Sequence, residues 1–464
     1  MSPFGTEHLA EAAWPPSAAP MAGSPPPPAT AVLALASRAV VAALLVAFFI
    51  WQSFYDHAAD FKTFFSAGYA VRHPEIPLYD LVALDENPFG EVFKLAPPAA
   101  VYLVPFSFGT IQQARLVWRI VLVVAIVAAY AIIARTCSLK LLGWAWLAGL
   151  AAWAAFGPLQ IAVGEGQWDP IFLLLIAVAT SAVVQGRMSV AALAIAIAAS
   201  IKPYPILLIG YFLARRAWRA VGLTIAALAA LLVVGSLVVG LDETAAFVTR
   251  VLPASGATTA YTDNQALGGV IARAWATDLK PFPLADAQAV DVAIRVLAVA
   301  LVGATIWLVG GRSATNGMQR ALQLSLFVPL SILMIPAAWT HYQAILLAPL
   351  TFLAVDQARH RARDPIGWVL LAAAYAVLLL PNPTMLYGPE IDRGLWLRSR
   401  ADSANLALQR LYPTALSRLI LSYKAFAVIL LYGLLAWRVA RPAPSGVAAG
   451  TSVSERAVVA GVPS

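Results

Sequence analysis

Residues 218–240 read WRAVGLTIAALAALLVVGSLVVG, and the one charge in the run is Arg219. A helix of that length rises about 35 Å, enough to cross a hydrocarbon core of about 30 Å. Arg215, Arg216 and Arg219 crowd its first end, and no further charge follows until Asp242. An apolar run with basic residues at one end reads as a spanning helix whose basic end faces the cytoplasm. Runs of the same kind recur at 31–52, 96–109, 116–134, 141–157, 168–184, 189–213, 289–310, 321–339, 342–355, 366–381 and 417–438. The expected fold is therefore an all-α polytopic membrane protein with about twelve transmembrane helices. The runs at 96–109 and 342–355 are short. The run 189–213 is broken by Lys202-Pro203-Tyr204-Pro205, which gives either one kinked helix or two pieces.

Composition agrees. Hydrophobic residues make up 61% of the 464 and charged residues 12%, against about 25% charged in soluble domains. The net charge of +8 does not point to nucleic acid, because the basic residues sit in short clusters between apolar runs. A single cysteine, Cys137, excludes an intrachain disulfide and a cysteine-based zinc cluster. Residues 1–30 are rich in Pro, Ala and Ser, lack Lys and Arg, and read as a disordered cytoplasmic tail rather than a cleaved signal. Residues 441–464 read as a second tail, leaving 31–440 as the transmembrane domain.

With twelve crossings, the clusters at Arg215/Arg216/Arg219, Arg312/Arg320, Arg359/Arg361/Arg363 and Arg438/Arg441 share the cytoplasmic side. The long connections 53–95, 241–288 and 382–416 then share the outer face, where loops of this length carry function. One pair dissents: Arg135 and Lys140 fall outside. The same parity places Gly164–Asp169 on the cytoplasmic side, and no catalytic role is assigned to it.

Several residues stand out chemically. After Asp60, the aromatics Phe61, Phe64, Phe65 and Tyr69 recur at helical spacing, which predicts a short amphipathic juxtamembrane helix. Asp60 is either the cap of that helix or a carboxylate held at headgroup level for chemistry; Asp56 is the alternative acid. Lys202 is an ammonium in an apolar run, at a cost of about 2.5–3.5 kcal/mol on insertion scales. It either snorkels to an interface or faces a polar cavity and binds phosphate, and its removal is expected to leave folding intact. His341, followed by Tyr342, is structural or faces the outer loops as part of a site. Asn264 and Gln265 suit sugar hydroxyls, and Arg273 suits phosphate. No phosphate-binding loop, zinc helix or dinucleotide fingerprint is present. An outer-face transfer must then draw on a donor already in the membrane.

These residues lie in a recognisable order: Asp60-Phe61 with Ala67-Gly68, Pro77-Leu78-Tyr79-Asp80, Gly166-Gln167, Lys202-Pro203-Tyr204-Pro205, Asn264-Gln265 with Arg273, and Trp339-Thr340-His341-Tyr342. The sequence resembles glycosyltransferase family 87, the polyprenol-phosphate-mannose-dependent mannosyltransferases with the GT-C fold. The resemblance spans about residues 55–345. It implies an inverting glycosyl transfer from a polyprenyl-phosphate sugar to a lipid-linked or glycan acceptor, with no metal and no other cofactor. Asp60 matches the family's catalytic carboxylate. Lys202, Arg273, His341, Asn264, Gln265 and Tyr342 would bind donor phosphate or substrate. Thr340 replaces the first residue of the family's frequent His-His-Tyr, a departure that bears on donor or acceptor rather than on the reaction. The other readings open to the sequence are a lipid-linked-glycan polymerase or ligase, and a transporter or flippase.

Overall fold

The computed structural model describes residues 29–54, 59–83, 93–256, 258–275, 288–362, 364–382 and 410–441. The two tails and Asp56 lie outside the described residues. What is described is a bundle of α-helices joined by short turns. The first half contains α1 (Ala29–Ser53), α2 (Ala59–Arg72), α3 (Pro97–Leu103), α4 (Ile111–Thr136), α5 (Trp144–Ala154), α6 (Gly157–Glu165), α7 (Asp169–Val184), α8 (Met188–Ile201), α9 (Ile209–Ala214) and α10 (Trp218–Val239). There follow α11 (Leu241–Ala246), α12 (Leu252–Ser255), α13 (Leu267–Trp275), α14 (Gln288–Gly310), α15 (Gly317–Ser325), α16 (Phe327–Leu333), α17 (Leu347–His360), α18 (Pro365–Leu379), α19 (Ala415–Leu419) and α20 (Tyr423–Ala440).

Among the described residues, five helical segments are long and apolar enough to cross a membrane singly: 30–53, 111–136, 218–239, 292–310 and 415–440. The pair α5–α6, bent by 54°, makes a sixth if it is one span. The faces of α1, α10 and α14 turned away from the bundle carry Leu44, Val233, Leu237, Val299 and Trp307, all more than half exposed. Water would not tolerate so much contiguous apolar surface on a folded protein, whereas acyl chains do.

The path of the chain departs from the expected one in two places. Residues 96–109 do not form a span. α3 has seven residues and a 3-10 turn, Val104–Phe106, continues it. Both of its ends stay at one end of the bundle: Pro98 lies against Gly235, near the close of α10, and Tyr102 meets Ser200, near the close of α8, at 3.1 Å. α3 instead packs against α2 and α10, and the backbone carbonyl of Leu103 lies where a side chain on Gly68 would have to go.

The second departure is at 189–213, which makes two passes rather than one. α8 ends at Ile201. Lys202 is extended (φ −128°, ψ 140°), as a residue before proline prefers, and a 3-10 turn at Tyr204–Leu208 starts the return. Contacts fix the reversal. Lys202 lies beside Asp169, at the start of α7. Thirteen residues on, Arg215 donates to Gln323 and to the Arg312 carbonyl, and Arg320 donates to the carbonyl of Val184, at the end of α7.

The two changes cancel in number and invert the parity between 109 and 202. One end of the bundle now gathers Arg135 and Lys140 with the clusters at Arg215, Arg312, Arg359 and Arg438. Arg359 donates to the Cys137 carbonyl and Arg361 to that of Arg441, 3.0 Å away. Arg135 and Lys140 therefore fall on the same end as Arg215, Arg312 and Arg359, and the dissenting pair is reconciled. Gly164–Asp169 moves to the opposite end, where the long connections open.

The helix at 59–72 is present, with Asp60 inside its first turn. Its aromatic side is covered by protein. Phe61, Phe64 and Phe65 are buried, with Phe61 stacked on Trp118 of α4. The stripe read as membrane-facing is thus a packing surface.

Candidate active site

Five segments meet at the loop end: the start of α2, the close of α6, the start of α7, the close of α8 and the turn at Thr340–Leu346. α6 terminates at Glu165 because Gly166 takes the left-handed conformation (φ +77°) as its cap. A side chain at Gly166 would also strike Cβ of Phe61. Neighbouring residues of α4 pin this turn. Trp118 Nε1 donates to the Gly166 carbonyl at 2.7 Å, and Arg119 Nη2 donates to that of Gly164 at 3.0 Å. Asp169 then opens α7 with Pro170 behind it, a proline where the helix leaves N–H groups unpaired anyway. Pro203 and Pro205 break the chain after Lys202, and a 3-10 turn at Thr340–Leu346 leads into α17.

The side chains so presented form one polar cluster. Gln167 Nε2 donates to Asp60 Oδ2, and Gln167 Oε1 accepts from Lys202 Nζ at 3.3 Å. Lys202 Nζ lies 3.9 Å from Asp169 Oδ2 and 4.1 Å from the centre of the Tyr342 ring. Tyr204 donates its hydroxyl to Asp169 Oδ1 at 3.2 Å. His341 Nδ1 is 3.0 Å from Glu165 Oε2, and its Nε2 is 3.9 Å from Asp169 Oδ2. Burial pushes the His341 imidazole down to about 4, despite the pull of Asp169, with Lys202 pushing the same way as burial. At neutral pH it is an uncharged ring, so the fixed cation of the cluster is Lys202.

Lys202 is therefore not snorkelling. It is 6% exposed and enclosed by Gln167, Asp169 and Tyr342. Asp60, Lys202, His341 and Tyr342, separated in sequence by up to 282 positions, are brought together. The residues not anticipated are Glu165, Gln167 and Asp169, with Tyr204 behind them. The signal was there, since Glu-Gly-Gln-Trp-Asp is a dense polar insert between two apolar runs. The parity read from the sequence sets it at the opposite end of the bundle from Asp60 and His341.

Asn264, Gln265 and Arg273 are not gathered into the cluster. Their polar groups are occupied by the protein itself. Asn264 Nδ2 donates to the carbonyls of Thr259 and Pro336, and its Oδ1 accepts from Ala266 and Ala338. Gln265 Nε2 donates to the carbonyls of Thr262 and Leu421, and its Oε1 accepts from Ala425 N–H. Arg273 binds the carbonyls of Tyr261 and Asn264 and the Ser422 hydroxyl. Burial lowers its guanidinium to about 9 against the pull of Asp263. In the structure these three form a brace, which ties α13 and the start of α20 to residues 336–338 and so holds the strap that carries His341. Thr340 likewise turns away from the cluster and donates to Asn382.

Asn264→Ala is accordingly expected to lower the thermal midpoint in detergent, at about 1–3 kcal/mol for each buried backbone group left unpaired. A variant that melts like wild type yet loses substrate affinity would restore Asn264 to the binding site.

Among the described residues no group of three or more His, Cys, Asp and Glu side chains is arranged to hold a metal ion. Residues 96–336 match the family described as Glycosyltransferase family 87. A protein of Mycobacterium tuberculosis (strain CDC 1551 / Oshkosh), described as a polyprenol-phosphate-mannose-dependent alpha-(1-2)-phosphatidylinositol pentamannoside mannosyltransferase, is 28% identical over 325 residues, covering 67% of this chain and 70% of that protein. The family match contains Glu165, Gln167, Asp169 and Lys202. Asp60 and His341 lie just outside it on either side and reach the cluster through the fold.

Proposed function

The chain belongs to glycosyltransferase family 87, which it matches over more than half its length, and we propose that it transfers a sugar, mannose first among the candidates, from a polyprenyl-phosphate carrier to a lipid-linked or glycan acceptor at the outer face of the cytoplasmic membrane. The observation that carries this is the linkage of Asp60 through Gln167 to Lys202, with His341 beside it: a carboxylate for a hydroxyl proton and a cation for a phosphate, held by one amide. The related mannosyltransferase supports the choice of donor.

The chemistry follows from the residue types. The acceptor oxygen forms a bond to the anomeric carbon from the face opposite the phosphate, and its proton goes to the Asp60 carboxylate. The bond from the anomeric carbon to the phosphate oxygen breaks, and the electron pair leaves with the polyprenyl phosphate. One displacement inverts the configuration. Charge grows on the phosphate as the bond breaks, so a preorganised Lys202 ammonium stabilises the transition state more than the ground state. Incubating membranes that contain the protein with a panel of labelled polyprenyl-phosphate sugars tests the assignment. A labelled glycolipid or glycan formed from one member is the expected result, and no transfer from any member overturns it.

The membrane placement completes the proposal. Crossings by α1, α4, α5–α6, α7, α8, the 3-10 turn with α9, α10, α14, α15–α16, α17, α18 and α19–α20 put the basic end in the cytoplasm and the cluster outside. Cysteines placed singly in a Cys137→Ala background read this directly. Those at Glu75 and Ser255 are expected to react with a membrane-impermeant thiol reagent in intact cells. Those at Lys140, Arg187 and Thr315 are expected not to react. Labelling at Lys140 and Arg187 from outside would restore 96–109 as a crossing and take residues 164–169 out of the outer site.

A further inference from the structure

Glu165 has no part in the chemistry above, yet few residues of the molecule are placed with more care. It is the last residue of α6, between two carbonyls that α4 grips through Arg119 and Trp118. Its carboxylate meets the buried imidazole of His341 at 3.0 Å. A carboxylate only accepts, so a hydrogen bond across this contact has Nδ1 carrying the proton. In a neutral ring Nε2 is then bare. It faces Asp169 Oδ2 at 3.9 Å, too far for a hydrogen bond, and that oxygen has no hydrogen-bond partner. Two acceptors face each other across a gap that holds no proton.

A bare Nε2 offers nothing to an anionic phosphate. Resting on the donor assigned above, we propose that Glu165 is a positioning residue which fixes His341 with Nδ1–H toward itself and Nε2 toward the phosphate, so that the ring takes a proton from solvent when the donor binds. The imidazolium then donates through both nitrogens, to Glu165 and to the phosphate, and the proton returns to solvent when the carrier leaves. The surroundings supply the charge balance. Glu165 of α6, Asp169 of α7 and Asp60 of α2 favour the cation, while Lys202, after α8, opposes it. Among the described residues, the hydroxyls of Tyr204 and Tyr342 complete the titratable groups there. α16 brings none to the turn that carries His341, and those of α17 lie in its last two turns.

Binding coupled to uptake of one proton strengthens as pH falls. The effect exists above the free imidazole's pKa, near 4, and below the raised value in the complex. A phosphodiester donor does not itself titrate in this range. The donor KM of wild type is therefore expected to fall by up to about tenfold for each unit of decreasing pH within that window. Glu165→Gln changes the tautomer rule, because an amide N–H donates to Nδ1 and leaves the proton of a neutral ring on Nε2. Its donor KM is expected to be flat across the same pH range, with an unaltered melting temperature. A structural Glu165 would lower stability and leave the slope in place.

Three results overturn the proposal: a wild-type donor KM without slope, a Glu165→Gln profile that keeps the wild-type slope, or Glu165→Gln failing to fold while His341→Gln retains the slope. A flat His341→Gln profile supports it. Wild type that uses no prenyl-phosphate sugar refutes the donor assignment, and the proposal falls with it; a slope unaffected by either substitution, with turnover intact, refutes both proton uptake by His341 and the role of Glu165 while the donor assignment stands.

Discussion

Asp60→Asn is expected to cut turnover at least about a hundredfold, the lower range of what a positioned base contributes, with expression and melting temperature unchanged. The structure sharpens the reasons. Asp60 stands within the first turn of α2, where the helix dipole favours an anion. Its Oδ2 accepts from Gln167 Nε2, and the amide oxygen of Asn accepts the same hydrogen bond. Phe61, next in sequence, is buried against Trp118 and beneath Gly166, so α2 is anchored by its aromatic side rather than by the carboxylate. The substitution thus removes the proton acceptor while keeping the hydrogen bond from Gln167. If Asp60→Asn lost activity by failing to fold, the acid would be a structural cap after all; near-normal turnover would move the base elsewhere. Glu165, engaged with His341, is then the next acid to test. Asp56→Asn is expected to be far milder.

How far the sequence carried can be judged from particular segments. Runs such as 218–240 were legible because length and charge at one end suffice to mark a spanning helix. Lys202-Pro203-Tyr204-Pro205 was legible as a break, but not as a reversal. Proline sets a local backbone angle; which way the next helix goes is decided by Arg215 meeting Gln323 and Arg320 meeting Val184, contacts over a hundred positions apart. The run 96–109 was apolar for a different reason than assumed: α3 is covered by α2 and α10, and burial in protein selects the same residues as burial in lipid. Arg135 and Lys140, left on the wrong side, were the one visible trace of both errors. The site fared similarly. Asp60, Lys202 and His341 each declared themselves as polar residues in costly places. Asn264, Gln265 and Arg273 did so equally well, because a buried polar brace and a ligand site draw on the same side chains. Only the filled hydrogen-bond capacity of Asn264 and Gln265 separates the two.

The same pairing logic alters what is expected of Lys202. An isolated ammonium in an apolar run is a cost, and Lys202→Met would then leave folding untouched or ease insertion. In the fold, Lys202 faces the fully buried carboxylate of Asp169. Lys202→Met strands that charge, and breaking a buried pair from one side costs about 3–5 kcal/mol. The single variant is therefore expected to lose both stability and donor use, which by itself does not tell a phosphate ligand from a counter-ion. The double variant Lys202→Met/Asp169→Asn separates them. Asn keeps a carbonyl for the Tyr204 hydroxyl and removes the stranded charge, so the melting temperature is expected to recover most of the loss. Turnover is expected to stay depressed, because the fixed ammonium opposite the departing phosphate is gone. Asp169→Asn alone provides the control: Lys202 keeps its place against Gln167 and the Tyr342 ring, and activity is expected to survive. A double variant that regains donor use along with stability would reduce Lys202 to the counter-ion of Asp169 and leave His341 as the sole group presented to the phosphate.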